Sequence, residues 1–303
     1  MDCRRIRHWI LRRFDFLPDS LVVRIQYLIK TGHYLHLKKA RRFTEKLQQY
    51  KVYYRNPLMK RCVDKFEVRS YIEEIGLGSI LNECYGVFSN IEDICWDSLP
   101  NSFVIKDTLG GSGLSVKLIP DKSCISKNLF LKEFNRWLSE PYNKKHTGRE
   151  WVYDGRPHRI VIERFIESEK DSGGLIDYKF FCNYGLTRFL YVIADRNLGR
   201  GGALGVYTPE FQRINVERAD ERPLSREVKK PCNFEEMRMI AEMIGKPFPE
   251  SRVDLYNVAG RIVFGEITFF DGSGYMKFIP DEYDKRLGDL FHFSYDSNWK
   301  IRP

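Results

Sequence analysis

Asp254 and Glu266 each interrupt an apolar run: Arg252-Val-Asp254-Leu-Tyr256 and Ile262-Val-Phe-Gly-Glu266-Ile-Thr268. The short segment Asn257-Val-Ala-Gly260 separates the runs, which predicts an antiparallel hairpin with both carboxylates able to face one side. Acids on inner strands are costly unless something pairs with them. Two partners fit the residues alone. One is Mg²⁺, which takes a few carboxylates together with phosphate oxygens. The other is Arg252, as a buried ion pair with Glu266.

A second segment, Lys106-Asp-Thr-Leu-Gly110-Gly111-Ser112-Gly113, ends a predicted strand in a lysine followed by a glycine-rich turn. Glycines let backbone N–H groups approach phosphate oxygens, and the lysine adds fixed positive charge. The Gly-Lys-Ser/Thr opening of a Walker A helix is missing, and a glycine-rich hairpin without a ligand reads equally well. A third segment, Glu163-Arg164-Phe165-Ile166, is a strand end running into the loop 167–176, after which Asp177-Tyr-Lys179 opens a new strand. A strand end can offer N–H and C=O to an adenine edge, and a carboxylate can hold ribose hydroxyls. An ordinary strand–loop–strand has the same appearance.

These segments must be positioned by a mixed set of elements. Residues 1–50 read as helical. Within them Ser20–Ile29, after Pro18 and before Gly32, predicts a helix with apolar positions 21, 22, 25, 28 and 29 on one face. That face would pack on the body of the protein or lie on a membrane surface. Residues 57–76 predict one helix, from Pro57 to Gly76. Strands are expected near 86–88, 103–106, 115–119, 159–163, 178–182, 187–193, 251–256 and 261–266. Helices are expected near 126–140 and 233–245. The pattern is α+β rather than repeated βαβ. It divides into a basic helical segment over 1–55, a lobe over 56–120 and a larger lobe over 121–303.

Length and composition suit an enzyme with a sizeable core: 303 residues, 43% hydrophobic and 30% charged. The seven cysteines form no C-x-x-C pair, which predicts scattered thiols rather than a metal site or disulfide framework. No stretch is apolar enough to span a membrane, and no secretory leader pattern is present, so a cytoplasmic protein is expected. The net charge is +9, and residues 1–43 hold eleven Lys/Arg against three Asp. Nucleic acid, an anionic membrane surface or anionic small molecules could answer that charge. No nucleic-acid-binding motif supports the first.

Taken together and in order, the segments resemble an ATP-grasp enzyme, and the whole is similar to the teichuronopeptide-biosynthesis-like (TupA-like) ATP-grasp family of bacterial surface-polysaccharide loci. The similarity spans about residues 16–292. It rests on Asn56-Pro-Leu58, Asp64-Lys65, Val68-Arg69, Leu99-Pro100, Lys106 to Gly113, Asp177 to Cys182 and Asn233 to Met237. It continues through Arg252 to Tyr256, Gly265-Glu-Ile-Thr268, Gly272-Ser-Gly274 and Lys285 to Asp289. The resemblance implies an α+β ATP-grasp fold, two lobes gripping MgATP, after a helical N-terminal extension.

It also implies roles. Lys65 and Lys106 would contact the ATP phosphates, with Gly110, Gly111, Ser112 and Gly113 closing over them. Glu163, Arg164, Phe165 and Ile166 would form the adenine hinge. Asp177, beside Lys179, would hold the ribose. Asp254 and Glu266 would bind Mg²⁺, and Arg252 would steady the transferred phosphoryl group. Arg196 and Arg200 would reach nucleotide and acceptor. Many relatives outside this family carry Asn where this chain has Thr268, a poorer metal ligand. The implied reaction is ATP-dependent carboxylate–amine ligation through an acyl phosphate. Its carboxylate would be a uronic acid of a sugar or glycan, and its acceptor an amine or amino acid. The rivals are a glycosyltransferase, disfavoured by the lack of Asp-x-Asp, a kinase on the same fold, and a non-catalytic scaffold at the inner membrane surface.

Overall fold

A computed structural model describes residues 15–111, 115–139, 145–168, 174–196 and 201–292. Its helices are α1 (Asp19–Thr31), α2 (Phe43–Tyr53), α3 (Pro57–Val63), α4 (Val68–Glu74), α5 (Lys127–Leu138), α6 (Phe234–Gly245) and α7 (Tyr283–Leu290). No helix among the described residues is long and apolar enough to cross a membrane. The six cysteines among them are free.

Helix α1 follows Pro18 and stops at Gly32, whose left-handed conformation (φ 81°) turns its N–H back to the Leu28 carbonyl. Its packed face is not the expected one. Val22, Val23, Gln26 and Tyr27 are buried, while Leu21, Ile25, Leu28 and Ile29 keep 44%, 49%, 39% and 76% of their surface exposed. Polar anchors set this rotation. Tyr27 Oη lies 2.7 Å from Thr44 Oγ1, and Gln26 accepts from Tyr275 Oη at 2.6 Å and donates to the Thr147 carbonyl at 2.9 Å. Helix α2 is buried almost all round, and several of its polar side chains are spent on main-chain partners. Gln48 Nε2 donates to the carbonyls of Ser273 and Gly274 at 2.9 and 2.8 Å, and Lys51 Nζ to that of Ser273 at 2.9 Å.

The single helix expected over 57–76 is two. Asp64 ends α3, and its carboxylate accepts the N–H groups of Phe66 and Glu67 at 2.9 and 3.0 Å, a local bond that competes with helix continuation. The break carries Lys65 sideways, where its N–H reaches the Thr108 carbonyl at 2.9 Å.

The first sheet has the order β1 (Cys84–Phe88), β4 (Ile160–Arg164), β2 (Phe103–Asp107), β3 (Val116–Ile119), all antiparallel. Its inner strand β4 comes from beyond residue 120. Phe103, Ile105, Ile160 and Ile162 bury one face with Phe130 and Phe134 of α5 and with Trp96. Alternation leaves Val104, Lys106, Val161 and Glu163 on the other face.

The second sheet runs β10 (Arg222–Pro223), β7 (Ala203–Tyr207), β6 (Leu186–Ala194), β5 (Asp177–Asn183), β11 (Ser251–Val258), β12 (Arg261–Thr268), with β8 (Arg213–Ile214) on β7. A further pair joins β9 (Glu217–Arg218) to β13 (Phe278–Ile279). Both expected hairpins form, β5–β6 and β11–β12. Strand β7 and helix α7 are additional to the sequence-based expectation. Phe180 and Val253 turn toward α6, where Phe180 meets Phe234 at 5.7 Å. The opposite face carries charge.

Candidate active site

Strand pairing alone brings five charged side chains together. Asp254 stands opposite Glu266 across the β11–β12 hairpin and opposite Lys179 across β5–β11. Arg252 lies two residues before Asp254 and opposite Thr268, and Asp177 lies two before Lys179. Two-residue periodicity therefore puts Asp177, Lys179, Arg252, Asp254 and Glu266 on one face. A register irregularity between Asp254 and Leu255 breaks the ladder beside them.

Arg252 ties this face together. Its Nε and Nη2 donate to the two oxygens of Asp254, each at 2.7 Å, the bidentate pairing that suits guanidinium and carboxylate. Nη2 also reaches Glu266 Oε1 at 3.1 Å, and Nη1 donates to Asp271. Lys179 Nζ bridges Asp254 and Asp177, the latter at 2.7 Å. The expected Arg252–Glu266 ion pair is thus present, inside a larger network. The network also takes in Asp271 and its second partner Arg218, at 3.0 Å, which the sequence motifs do not mark. Asp271 opens the glycine-containing turn Asp271–Gly274, which Gln48 and Lys51 hold from α2. An acid in a Gly-Ser-Gly turn three residues after Thr268 was the available signal.

Two lysines approach from outside the second sheet, one at the α3–α4 break and one on the first sheet. Lys65 Nζ, delivered by the α3–α4 break, donates to the Gly110 carbonyl and stands 3.5 Å from Glu266 Oε2. Lys106, on the face of the first sheet opposite α5, pairs with Glu163 Oε2 at 2.5 Å, and Arg69 approaches the same carboxylate at 3.6 Å. Gly110 admits no side chain, because a Cβ there would lie 2.3 Å from that of Ser115. Ser112, Gly113 and Arg200 lie outside the described residues, and Gly111 sits in open space. Of the expected hinge, Arg164 spends its N–H on the Glu83 carbonyl and its C=O on Asn82. Phe165 and Ile166 follow, half-buried.

Asp177 is buried. Its Oδ2 takes Lys179 and, at 3.1 Å, Arg196 Nη1, whereas Oδ1 has no hydrogen-bond donor among the described residues. A buried acceptor without a donor is uncommon and calls for a partner. Glu266 keeps 35% of its side chain exposed. Burial works to raise its pKa, but Lys65 and Arg252, then Lys179 and Lys106, outweigh it and hold the carboxyl at about 2. Asp271 is likewise held low, with Arg252 and Arg218 overcoming its burial.

The donor set fits a magnesium nucleotide. No group of three or more His, Cys, Asp or Glu among the described residues forms a metal cage. Mg²⁺ is ordinarily held by one or two carboxylates completed by phosphate oxygens, and carboxylate oxygens have lone pairs to share with Arg252. Lys65 and Lys106 supply positive charge beside them.

Comparison with known proteins adds a family. The family model described as TupA-like ATPgrasp matches residues 45–292. No curated protein matches. Among solved structures, D-alanine–D-alanine ligase from Bacillus anthracis is similar at 16% identity and a TM-score of 0.45, covering 76% of this chain and 66% of that one. L-amino acid ligase from Bacillus licheniformis is similar at 14% identity and a TM-score of 0.47, covering 84% of this chain and 55% of that one. This chain thus spans 55–66% of the length of these two solved proteins. Likenesses this distant carry no argument about individual residues.

Proposed function

This chain belongs to the TupA-like ATP-grasp family, and from that premise we propose that it is an ATP-dependent carboxylate–amine ligase acting on a uronic acid or similar carboxylate of a surface polysaccharide. In this reaction ATP phosphorylates the carboxylate to an acyl phosphate. An amine or amino acid then displaces phosphate to give an amide, with ADP and phosphate released.

One observation carries the reading. Asp254 and Glu266 face each other across one hairpin, and Lys65, at the break between α3 and α4, reaches Glu266 at 3.5 Å. The pair would hold Mg²⁺, and Lys65 and Lys106 would neutralise phosphate charge. Arg252 would steady the charge that grows on the transferred group and on the tetrahedral adduct, through fixed donors in a buried setting. The Asp177 Oδ1 acceptor suits a ribose hydroxyl, and Phe165 with Ile166 would offer main-chain groups to adenine. Arg196, bonded to Asp177, would link nucleotide and acceptor together with Arg200. A basic chain of net charge +9 suits an anionic glycan.

The test is a screen of uronic acids paired with amines, read as ADP and coupled product by mass spectrometry. ADP formation that requires both partners supports the ligase. Phosphate retained on a sugar hydroxyl, or transfer from a nucleotide sugar, overturns it.

A further inference from the structure

The outer face of α1 has no role in the site. Leu21, Ile25, Leu28 and Ile29 recur at helical spacing and are all exposed, while the opposite face of the same helix is anchored to the body through Tyr27 and Gln26. An ordinary surface helix turns polar residues outward; this one has an apolar stripe on each side. The charges around the outer stripe are mostly cationic, and Asp281, exposed beside the loop, is paired with His33 at 3.0 Å and Arg42 at 2.8 Å. Between Phe16 and Arg42 the only acid is Asp19, which is bonded to Lys145 at 2.9 Å. Arg24, Lys38, Lys39 and Arg41 are exposed. The loop leaving the helix lines a depression of about 470 Å³ with His33, His36, Lys39 and Arg41, joined by Lys285. Glu45, also in its lining, is occupied by the N–H groups of His36, Arg41 and Arg42.

We propose that this face docks on an anionic lipid surface, with Leu21, Ile25, Leu28 and Ile29 entering the headgroup–acyl boundary and the basic loop meeting lipid phosphates. Apolar insertion combined with cationic flanks is the physical signature of an interfacial helix. A second copy of this chain is the wrong occupant. A two-fold pairing would set Arg24, Lys38, Lys39 and Arg41 near their own counterparts. The inference is independent of the ligase reading, because no residue of the stripe touches the nucleotide-facing groups.

The test is co-sedimentation of the full chain with phosphatidylglycerol–phosphatidylcholine vesicles and with phosphatidylcholine alone, at low and high salt. Binding should need the anionic lipid and weaken with salt. The variant Ile25→Glu/Ile29→Glu should lower the partition coefficient by about tenfold or more, since each lost side chain forfeits its own burial. Ile29→Trp preserves the apolar face, and the fluorescence of the introduced indole should shift to the blue when anionic vesicles are added. Absence of binding at low salt overturns the proposal, as does undiminished binding of the double glutamate variant or an unshifted spectrum of Ile29→Trp. A dimer that the double glutamate variant converts to monomer also overturns it and gives the face to a second copy.

Discussion

Two glutamates flank Arg252 and live by opposite rules. Glu266 sits in β12 with Lys65, Arg252, Lys179 and Lys106 around it, and these cations hold it ionised against its burial. Glu250, just before β11, is wholly buried, and neither of its carboxylate oxygens has a hydrogen-bond partner among the described residues. Burial pushes Glu250 well above the ordinary carboxylate range, the neighbouring Asp271 adds to that, and Arg252 opposes both. Asp254, on the same face as Glu266, is pushed up by its burial although Arg252 and Lys179 oppose it. The two glutamates differ in the cations in reach, since Lys65, Arg252, Lys179 and Lys106 together outweigh burial at Glu266 whereas Arg252 alone does not at Glu250. On the hairpin face that carries Glu266, the surrounding cations keep that carboxylate negative. The region behind Arg252 is built to keep Glu250 neutral.

The largest effect that would sharpen this contrast is on chemistry. Asp254→Asn and Glu266→Gln change shape little but remove the charge assigned to Mg²⁺, so each should abolish ATP turnover while far-ultraviolet circular dichroism stays unchanged. MgATP should raise the melting temperature of the parent, as any ligand of the native state does, and raise that of Glu266→Gln much less. Near-normal turnover in either variant breaks the metal assignment.

Arg252→Ala comes next. If Arg252 acts on the transferring group, kcat should fall by about 10²-fold or more with a smaller change in ATP affinity. Equal losses in both would make it a structural partner of Asp254 and Asp271.

Glu250→Gln should have the smallest effect and the opposite sign. A carboxyl whose folded pKa is raised stabilises the fold least above that value and most below its ordinary one. The parent should therefore lose stability as pH rises from about 4.5, and the variant should lose less. At pH 7 the variant should melt a few degrees higher. Glu266 predicts the reverse slope: its contribution is present above about 4.5 and is lost as pH falls toward 2. Melting curves of the parent, Glu250→Gln and Glu266→Gln from pH 3 to 8 separate the two. Identical slopes would dissolve the contrast.

Much of the candidate site's geometry is legible in the sequence, because it is local. A hairpin with a short turn brings Asp254 opposite Glu266, and alternation alone puts Arg252 on their side. Asn257 completes that turn by accepting the Gly260 N–H at 3.1 Å. What escaped is non-local. The insertion of β4 between β1 and β2, and the joining of Asp271 to Arg218 and Arg252, depend on contacts with no sequence spacing. The α3–α4 break was masked by good helix formers on both sides of Asp64. The rotation of α1 is not legible in the sequence because both of its faces are apolar, so that periodicity cannot choose between them. The polar anchors Gln26 and Tyr27 decide it.

If Asp254, Glu266, Lys65, Lys106 and Arg252 support transfer of a phosphoryl group to a carboxylate, an oxygen of that carboxylate must pass into the released phosphate. Label the substrate carboxylate with ¹⁸O, supply MgATP and the amine, and analyse the released phosphate by mass spectrometry. The account predicts one ¹⁸O in that phosphate, because the acyl-phosphate bridging oxygen leaves with it when the amine attacks carbon. Unlabelled phosphate, or phosphate kept on the sugar, would contradict it.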